Sequence, residues 1–264
     1  YTGSGAYNSE TTPDNFICFG TSDKTECKNN EAKYMYRIIG VFPDNNGNQH
    51  LKLISLKQLS STYAWNANYR TDVAWENSDM YKGLNGSYFL TNTTYDYLQN
   101  NTWLNKIENW KWTAVNTLTE ESSGPNYYNV TTQEMYLHEM NRSSKTSSIG
   151  EWTNPTAKIG LMYASDYQMS LGSSALSYTG SNYNTLKTGW MHQSNNDTTS
   201  SSSEWTLSRY GYYGGYVGAW IVTSDGQVSS NGVGSTYGIR PVFHLTSDIR
   251  IIDGDGSYSN PYIL

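Results

Sequence analysis

Charge, phenylalanine and cysteine are all scarce in this chain. Asp, Glu, Lys and Arg make up 15% of its 264 residues and leave a net charge of −6. Lys and Arg are nowhere clustered, so the electrostatic footprint that nucleic-acid binding requires is missing. No run is long and apolar enough to span a bilayer as a helix. No secretory signal is visible and the chain opens on Tyr1 rather than Met, which leads us to expect an upstream part that has been removed. Membrane or pilus attachment would then run only through that N-terminal segment. Phe contributes 5 residues against 24 Tyr and 9 Trp, and hydrophobic residues total 36%. A core drawn from this set must be rich in Tyr and Trp, whose polar tips need partners or water.

The two cysteines, Cys18 and Cys27, stand nine residues apart. A small disulfide loop is the favoured reading, with a stabilisation of about 2–3 kcal/mol in the chain-entropy account. Metal-binding thiols are the rival, but they need further ligands, and His50, His138, His192 and His244 are dispersed along the sequence. Low charge, many hydroxyl and amide side chains and a disulfide together point to an exported, extracellular protein. No phosphate loop, G-x-S-x-G or metal motif is present, so no cofactor is expected.

Residues 1–13 are small and polar and read as a linker, with one domain over 14–264. "KYMYRIIGVF" and "HLKLISLKQL" alternate like strands around the turn "PDNNGN", where Asn46-Gly47 supplies positive φ, and together they predict a β-hairpin. Met80, Leu84, Phe89, Leu98, Trp103, Leu104 and Ile107 fall at helical intervals broken by Asn and Gly, which predicts short helices. "NWKWTAV" reads as a strand with Trp110 and Trp112 on one face. "AKIGLMYASDY" reads as another strand, ending at a helix N-cap near Ser165 or Asp166. The stretch 171–203 reads as a long polar loop. Strands are expected at 216–223, 226–230 and 238–245, with Asp225-Gly226 as a tight turn. The fold class is therefore α+β, with small antiparallel or mixed sheets, short helices and long loops.

The segment 204–245 has a rigid frame of Trp205, Leu207, Trp220, Ile221, Pro241 and Phe243, and a filling of Tyr, Gly, Ser and Asn. Tyr and Trp give stiff, amphipathic contact area at low entropic cost, while Ser, Gly and Asn give adaptable hydrogen bonds. That is the vocabulary of a binding surface. Catalysis needs a few placed acids, bases or nucleophiles instead, and this segment has almost none.

"YRIIGVF", "KIGLMYASDY", "WTLS", "GIRPVFHLTSDI" and "GDGSYSNPYIL" occur in order over most of the chain. In these the chain resembles surface and pilin-like proteins of gut Firmicutes built on a C-type-lectin-like domain of the formylglycine-generating-enzyme type. Some relatives in that group are variable proteins of diversity-generating retroelements, in which adenine-directed mutagenesis rewrites codons near the end of the gene. The resemblance implies a C-type-lectin-like fold, a bacterial cell-surface location, and a displayed face that binds a protein or glycan ligand. Carried over by position, the candidate ligand-binding residues are Arg209, Tyr210, Tyr212, Tyr213, Tyr216 and Trp220, together with Gln227, Ser229, Ser230, Asn231, Ser235 and Tyr237. The glycines 211, 214 and 215 lie in the same variable run.

Competing readings are weaker. The formylglycine-generating relatives depend on cysteine chemistry late in the domain, and no cysteine follows Cys27. Glu120/Glu121 and Glu134/Glu139 could serve a glycosidase, but such glutamates are expected to be solvated surface. "DGDGS" at 253–257 has no bidentate Glu at the twelfth position and reads as a polar turn. Arg240 is expected to be a buried structural arginine paired with a carboxylate such as Asp248 or Asp166, and His244 a packed or hydrogen-bonded histidine. The chain is expected not to be an enzyme. The alternative to ligand binding is a structural pilin or surface-layer subunit whose aromatic patch mediates self-assembly.

Overall fold

The computed structural model describes residues 13–70, 74–86, 93–115, 128–140, 152–153, 155–195, 203–213 and 216–264. Three strands open the fold: β1 (Phe16–Cys18), β2 (Met35–Pro43) and β3 (Gln49–Ser55). β2 and β3 are the predicted hairpin, antiparallel with Tyr36 opposite Ser55 and Pro43 opposite Gln49. Asp44 closes it: its Oδ1 accepts the N–H groups of Asn46 and Asn48, both at 2.8 Å. The Asn48 side-chain amide donates to the other oxygen, and these bonds draw the Asp44 carboxyl down to about 2. Gly47 takes φ +84°, a region in which a side chain would be strained.

The middle of the chain forms short strands: β4 (Tyr63–Ala64), β5 (Trp110–Lys111), β6 (Ala114–Val115), β7 (Trp152–Thr153), β8 (Thr156–Ala157) and β9 (Ile159–Gly160). The expected single strand at "NWKWTAV" is two, because β5 pairs with β8 and β6 with β7. Pro155 sits between β7 and β8, has no N–H for a ladder, and instead accepts the Trp112 N–H at 3.0 Å. Helices of a few residues form in the described parts of 78–106 as expected, including Asp79–Asn85 and Asn101–Leu104, while Phe89 lies outside the described residues. The expected loop at 171–203 instead holds the 3₁₀ turn Ser173–Ser177 and the helices Tyr183–Leu186 and Trp190–Asn195. Leu186, Trp190 and Met191 are buried, so a few apolar anchors organise a stretch whose average composition is polar. Residues 196–202, the most Ser-rich part of that stretch, lie outside the described residues, as do 1–12 of the expected linker and Glu120/Glu121.

The last part of the chain adds β10 (Glu204–Tyr213), β11 (Tyr216–Val222), β12 (Val228–Gly232), β13 (Thr236–Tyr237) and β14 (Val242–His244). β14 crosses back to lie between β3 and β9, completing a five-stranded sheet in the order β1-β2-β3-β14-β9. β10, β11 and β12 form a separate three-stranded sheet. The fold is α+β with small antiparallel sheets. The chain's end returns to its start: the Tyr262 N–H donates to the Phe16 carbonyl and the Cys18 N–H to the Tyr262 carbonyl, both at 2.9 Å. Cys18 and Cys27 are disulfide-bonded, with Cα atoms 5.9 Å apart.

The core is aromatic, as the composition requires. Phe243 of β14 lies 4.9 Å from Phe19 and 5.1 Å from Tyr36, ring centre to ring centre. The Tyr36 and Tyr97 hydroxyls bond each other, which satisfies both buried tips, and burial pushes both phenols well above 10. His244 stacks on Trp110 at 3.8 Å and touches Trp112 at 5.3 Å, so the two Trp share a face as expected. Burial holds its imidazole well below 6.5. Gly160 is where β9 meets Trp112: a Cβ there would stand 2.7 Å from the indole.

Candidate functional site

The three-stranded sheet carries the candidate residues. β11 is its central strand and is buried along its described length, with Val217, Ala219, Trp220, Ile221 and Val222 all at 4% exposure or less. β10 is bulged: Trp205 lies opposite Ile221, but Arg209 lies opposite Ala219. Bulges re-aim a strand. Here the bulge lets the Leu207 N–H reach the Met162 carbonyl at 2.8 Å and brings Ser208 against the helix Ala164–Met169.

Polar groups on β10 are buried and matched. Arg240 makes a two-pronged pair with Glu204, Nε to Oε2 at 2.8 Å and Nη2 to Oε1 at 2.6 Å, with both side chains essentially unexposed. Arg240 is thus the buried, carboxylate-paired arginine expected, with Glu204 as its partner in place of the examples Asp248 and Asp166. Glu204 opens β10 and its backbone bridges to Gly238, a long-range adjacency that local sequence does not show. Thr206 Oγ1 donates to the Trp220 carbonyl at 2.8 Å. Ser208 Oγ donates to Glu139 Oε1.

Glu139 corrects the expectation of a solvated glutamate. It lies in the helix Thr132–Met140 and is 3% exposed, whereas Glu134 on the same helix is exposed. Its carboxyl also accepts the Ala164 N–H at 3.1 Å and the Ser165 N–H at 3.3 Å. Burial pushes it up to about 7 despite these donors. The helix Ala164–Met169 begins two to three residues earlier than expected, with Tyr163 as its N-cap. Asp166 is not the cap but reaches back to the Tyr163 N–H at 2.8 Å, the reciprocal half of a capping box. Asp166 also holds the buried Lys52 ammonium.

The sheet sorts the candidate residues into two sets. Arg209 and Trp220 are 3% and 2% exposed, so they support the surface and do not form it. The Arg209 guanidinium lies 5.5 Å from the centre of the Trp65 ring. Tyr210 is half-buried, edge-on to Trp220 at 4.9 Å. Tyr237 is half-buried, edge-on to Trp205 at 4.9 Å. Gln227, Ser229, Ser230 and Ser235 are half-buried and Asn231 is exposed. The side chains of Tyr212, Tyr213 and Tyr216 and residues 214–215 lie outside the described part of the structure; the Tyr212 backbone pairs with Val217 and Tyr213 with Tyr216.

Asn231 is the hub of the exposed set. Its Nδ2 donates to the Tyr237 hydroxyl, while its Oδ1 accepts the Gly232 N–H at 2.8 Å and the Ser235 hydroxyl at 3.2 Å. The turn 223–227 that starts β12 is fixed by Thr223, whose Oγ1 accepts the Gln227 N–H at 2.9 Å. The arrangement can hold hydroxyl, amide and aromatic groups in fixed positions at the surface. Among the described residues no three His, Cys, Asp or Glu side chains cluster as a metal site. In the 253–257 turn, Asp253 pairs with Lys24 at 2.7 Å and Asp255 Oδ1 accepts the Ser257 N–H at 2.9 Å. Compared with models of known protein families, with curated proteins and with solved structures, the chain finds no match.

Proposed function

We propose that the chain is a non-covalent ligand-binding protein of a bacterial cell surface, built on a C-type-lectin-like scaffold. Its contact face is the outer part of the three-stranded sheet and the following turn: Tyr210, Gln227, Ser229, Ser230, Asn231, Ser235 and Tyr237. The observation that carries this reading is the exposed Asn231–Ser235–Tyr237 network, tied by its own hydrogen bonds and seated on Trp205. Groups already held in place lose less conformational freedom on binding than mobile ones do. Retroelement-driven diversification is part of the proposal. Variation would be tolerated on the outer residues and restricted at Arg209 and Trp220, whose burial ties them to the scaffold.

The test is binding of the purified protein to arrays of glycans and of cell-surface proteins. It is run beside the triple variant Asn231→Ala, Ser235→Ala, Tyr237→Ala. A ligand bound by the parent and lost at least tenfold in a folded variant supports the reading. A parent that binds nothing but assembles in light scattering replaces it with the pilin or surface-layer role. Sequencing codons 209–237 across one bacterial population tests diversification separately. Substitutions confined to template adenines support it, and a uniform sequence without a nearby template or reverse transcriptase removes it.

A further inference from the structure

A cavity of about 290 Å³ opens beside the helix Asp79–Asn85, and neither Tyr210 nor Tyr237 lines it. Its floor is Met80, Leu84 and Ile239, all buried. Tyr63 and Leu59 form a wall, and the exposed Asp79 carboxyl stands at the rim. Asp79 Oδ2 accepts the Ala67 N–H at 2.8 Å, which fixes the carboxyl in place.

Gly83 adds an independent observation. It lies in the interior of that helix and lines the cavity, and a Cβ built on it meets nothing within 4 Å. Glycine in a helix interior is less stable than alanine, and nothing in the packing demands it here. A side chain here would have open space around it at the edge of the cavity.

We propose that this cavity is a ligand site for a small aromatic group carrying a cationic amine. The apolar floor and the Tyr63 wall take the ring, and the Asp79 carboxylate takes the ammonium. The size sits at the lower edge of the ~300–1,000 Å³ range of small-molecule sites, so the ligand is a single ring system with a short arm. This chemistry is found both in free arylalkylamines and at the amino terminus of a peptide that begins with an aromatic residue.

The experiment is calorimetric titration of the whole chain with tryptamine, with indole-3-propionate of matched apolar body and opposite charge, and with the peptide Trp-Gly-Gly. Tryptamine is expected to saturate one site and to bind at least tenfold tighter than indole-3-propionate. Comparison of tryptamine with the peptide decides which source fits. Gly83→Leu is expected to fill the cavity and weaken tryptamine at least tenfold, with the thermal midpoint unchanged or raised. Asp79→Asn keeps the acceptor for Ala67 and is expected to erase the preference for the cationic probe. Absence of saturable binding, or tryptamine affinity that survives Gly83→Leu, overturns the site. Equal binding of the two indoles to the parent overturns the assignment of charge. Tyr237 of the contact face pairs through the backbone with Tyr63 of the cavity wall, so the two readings are told apart by variants: loss of tryptamine binding in Gly83→Leu with any array ligand retained, or the converse in the Asn231, Ser235, Tyr237 triple variant.

Discussion

The two principal sheets solve the same shortage of aliphatic residues in different ways. The five-stranded sheet hides its strands behind rings: Phe19, Tyr36, Tyr97 and Phe243 on one part, and Trp110, Trp112 and His244 on another. The three-stranded sheet is backed by polar groups locked in pairs, Glu204 with Arg240 and Ser208 with Glu139. Apolar burial is non-directional and tolerates exchange between apolar side chains of similar volume, whereas a buried charge without its partner is costly. The five-stranded sheet also covers one buried pair, Lys52 of β3 with Asp166, so the difference is one of degree: under the candidate surface the matched polar groups lie on β10 itself, while its outer residues are freer. A support held by directional bonds keeps its shape when the residues above it change.

Breaking the Glu204–Arg240 pair is the sharpest way to test that contrast. Arg240→Ala should cost ~3–5 kcal/mol, since it strands a buried carboxylate. The double change Glu204→Leu, Arg240→Met should recover much of that loss in urea denaturation. If the double variant is as unstable as the single one, the pair is not what holds the sheet. Phe243→Ala probes the other sheet and should cost ~3–5 kcal/mol by cavity formation. There, Phe243→Leu should recover part of the loss, because ring packing tolerates apolar exchange.

Glu139 gives a pH signature. Its carboxyl is raised from 4.5 to about 7 by burial, so the folded state holds a proton that the unfolded state has released. Its contribution is fully present below pH 4.5 and is lost as pH rises through about 7. Glu139→Gln stays neutral, so its stability relative to the parent should rise between pH 5 and 8, by on the order of 2–3 kcal/mol. His138 and His192, lowered to about 4 by burial, act oppositely and lose stability as pH falls from 6.5 through 4. Both are common to parent and variant, so the difference in thermal midpoints isolates Glu139. A flat difference would mean that the carboxyl is ionised in its site at all these pH values. The smallest effect is expected outside: Ser235→Ala should change stability by no more than about 0.5 kcal/mol.

How far these features could be read from sequence depends on their range. The β2–β3 hairpin was legible because alternation and an Asn-Gly turn are local, and the aromatic core because the composition left little else. The turn after β11 follows the Asp225-Gly226 signal, and Gly226 takes φ +87°. The buried carboxylates were not legible, since Glu204 meets Arg240 and Glu139 meets Ser208 only through tertiary contact. A weak sign existed for Glu139: it follows the buried Met135 by four residues and so shares its helix face. For Arg209 and Trp220, the run of Tyr and Gly around them masked their burial. Alternation assigns faces to a strand, but β10 is bulged and β11 is covered on both sides, so period two no longer separates inside from outside.

The most direct measurement is a saturation scan of residues 204–240 on displayed protein, scored by protease resistance. The account predicts sharp loss of folding at Glu204, Trp205, Ser208, Arg209, Trp220 and Arg240. It predicts broad tolerance at Gln227, Ser229, Ser230, Asn231 and Ser235. Uniform intolerance across both groups would contradict the division into support and surface, and would place Asn231 and its neighbours among the residues that hold the fold.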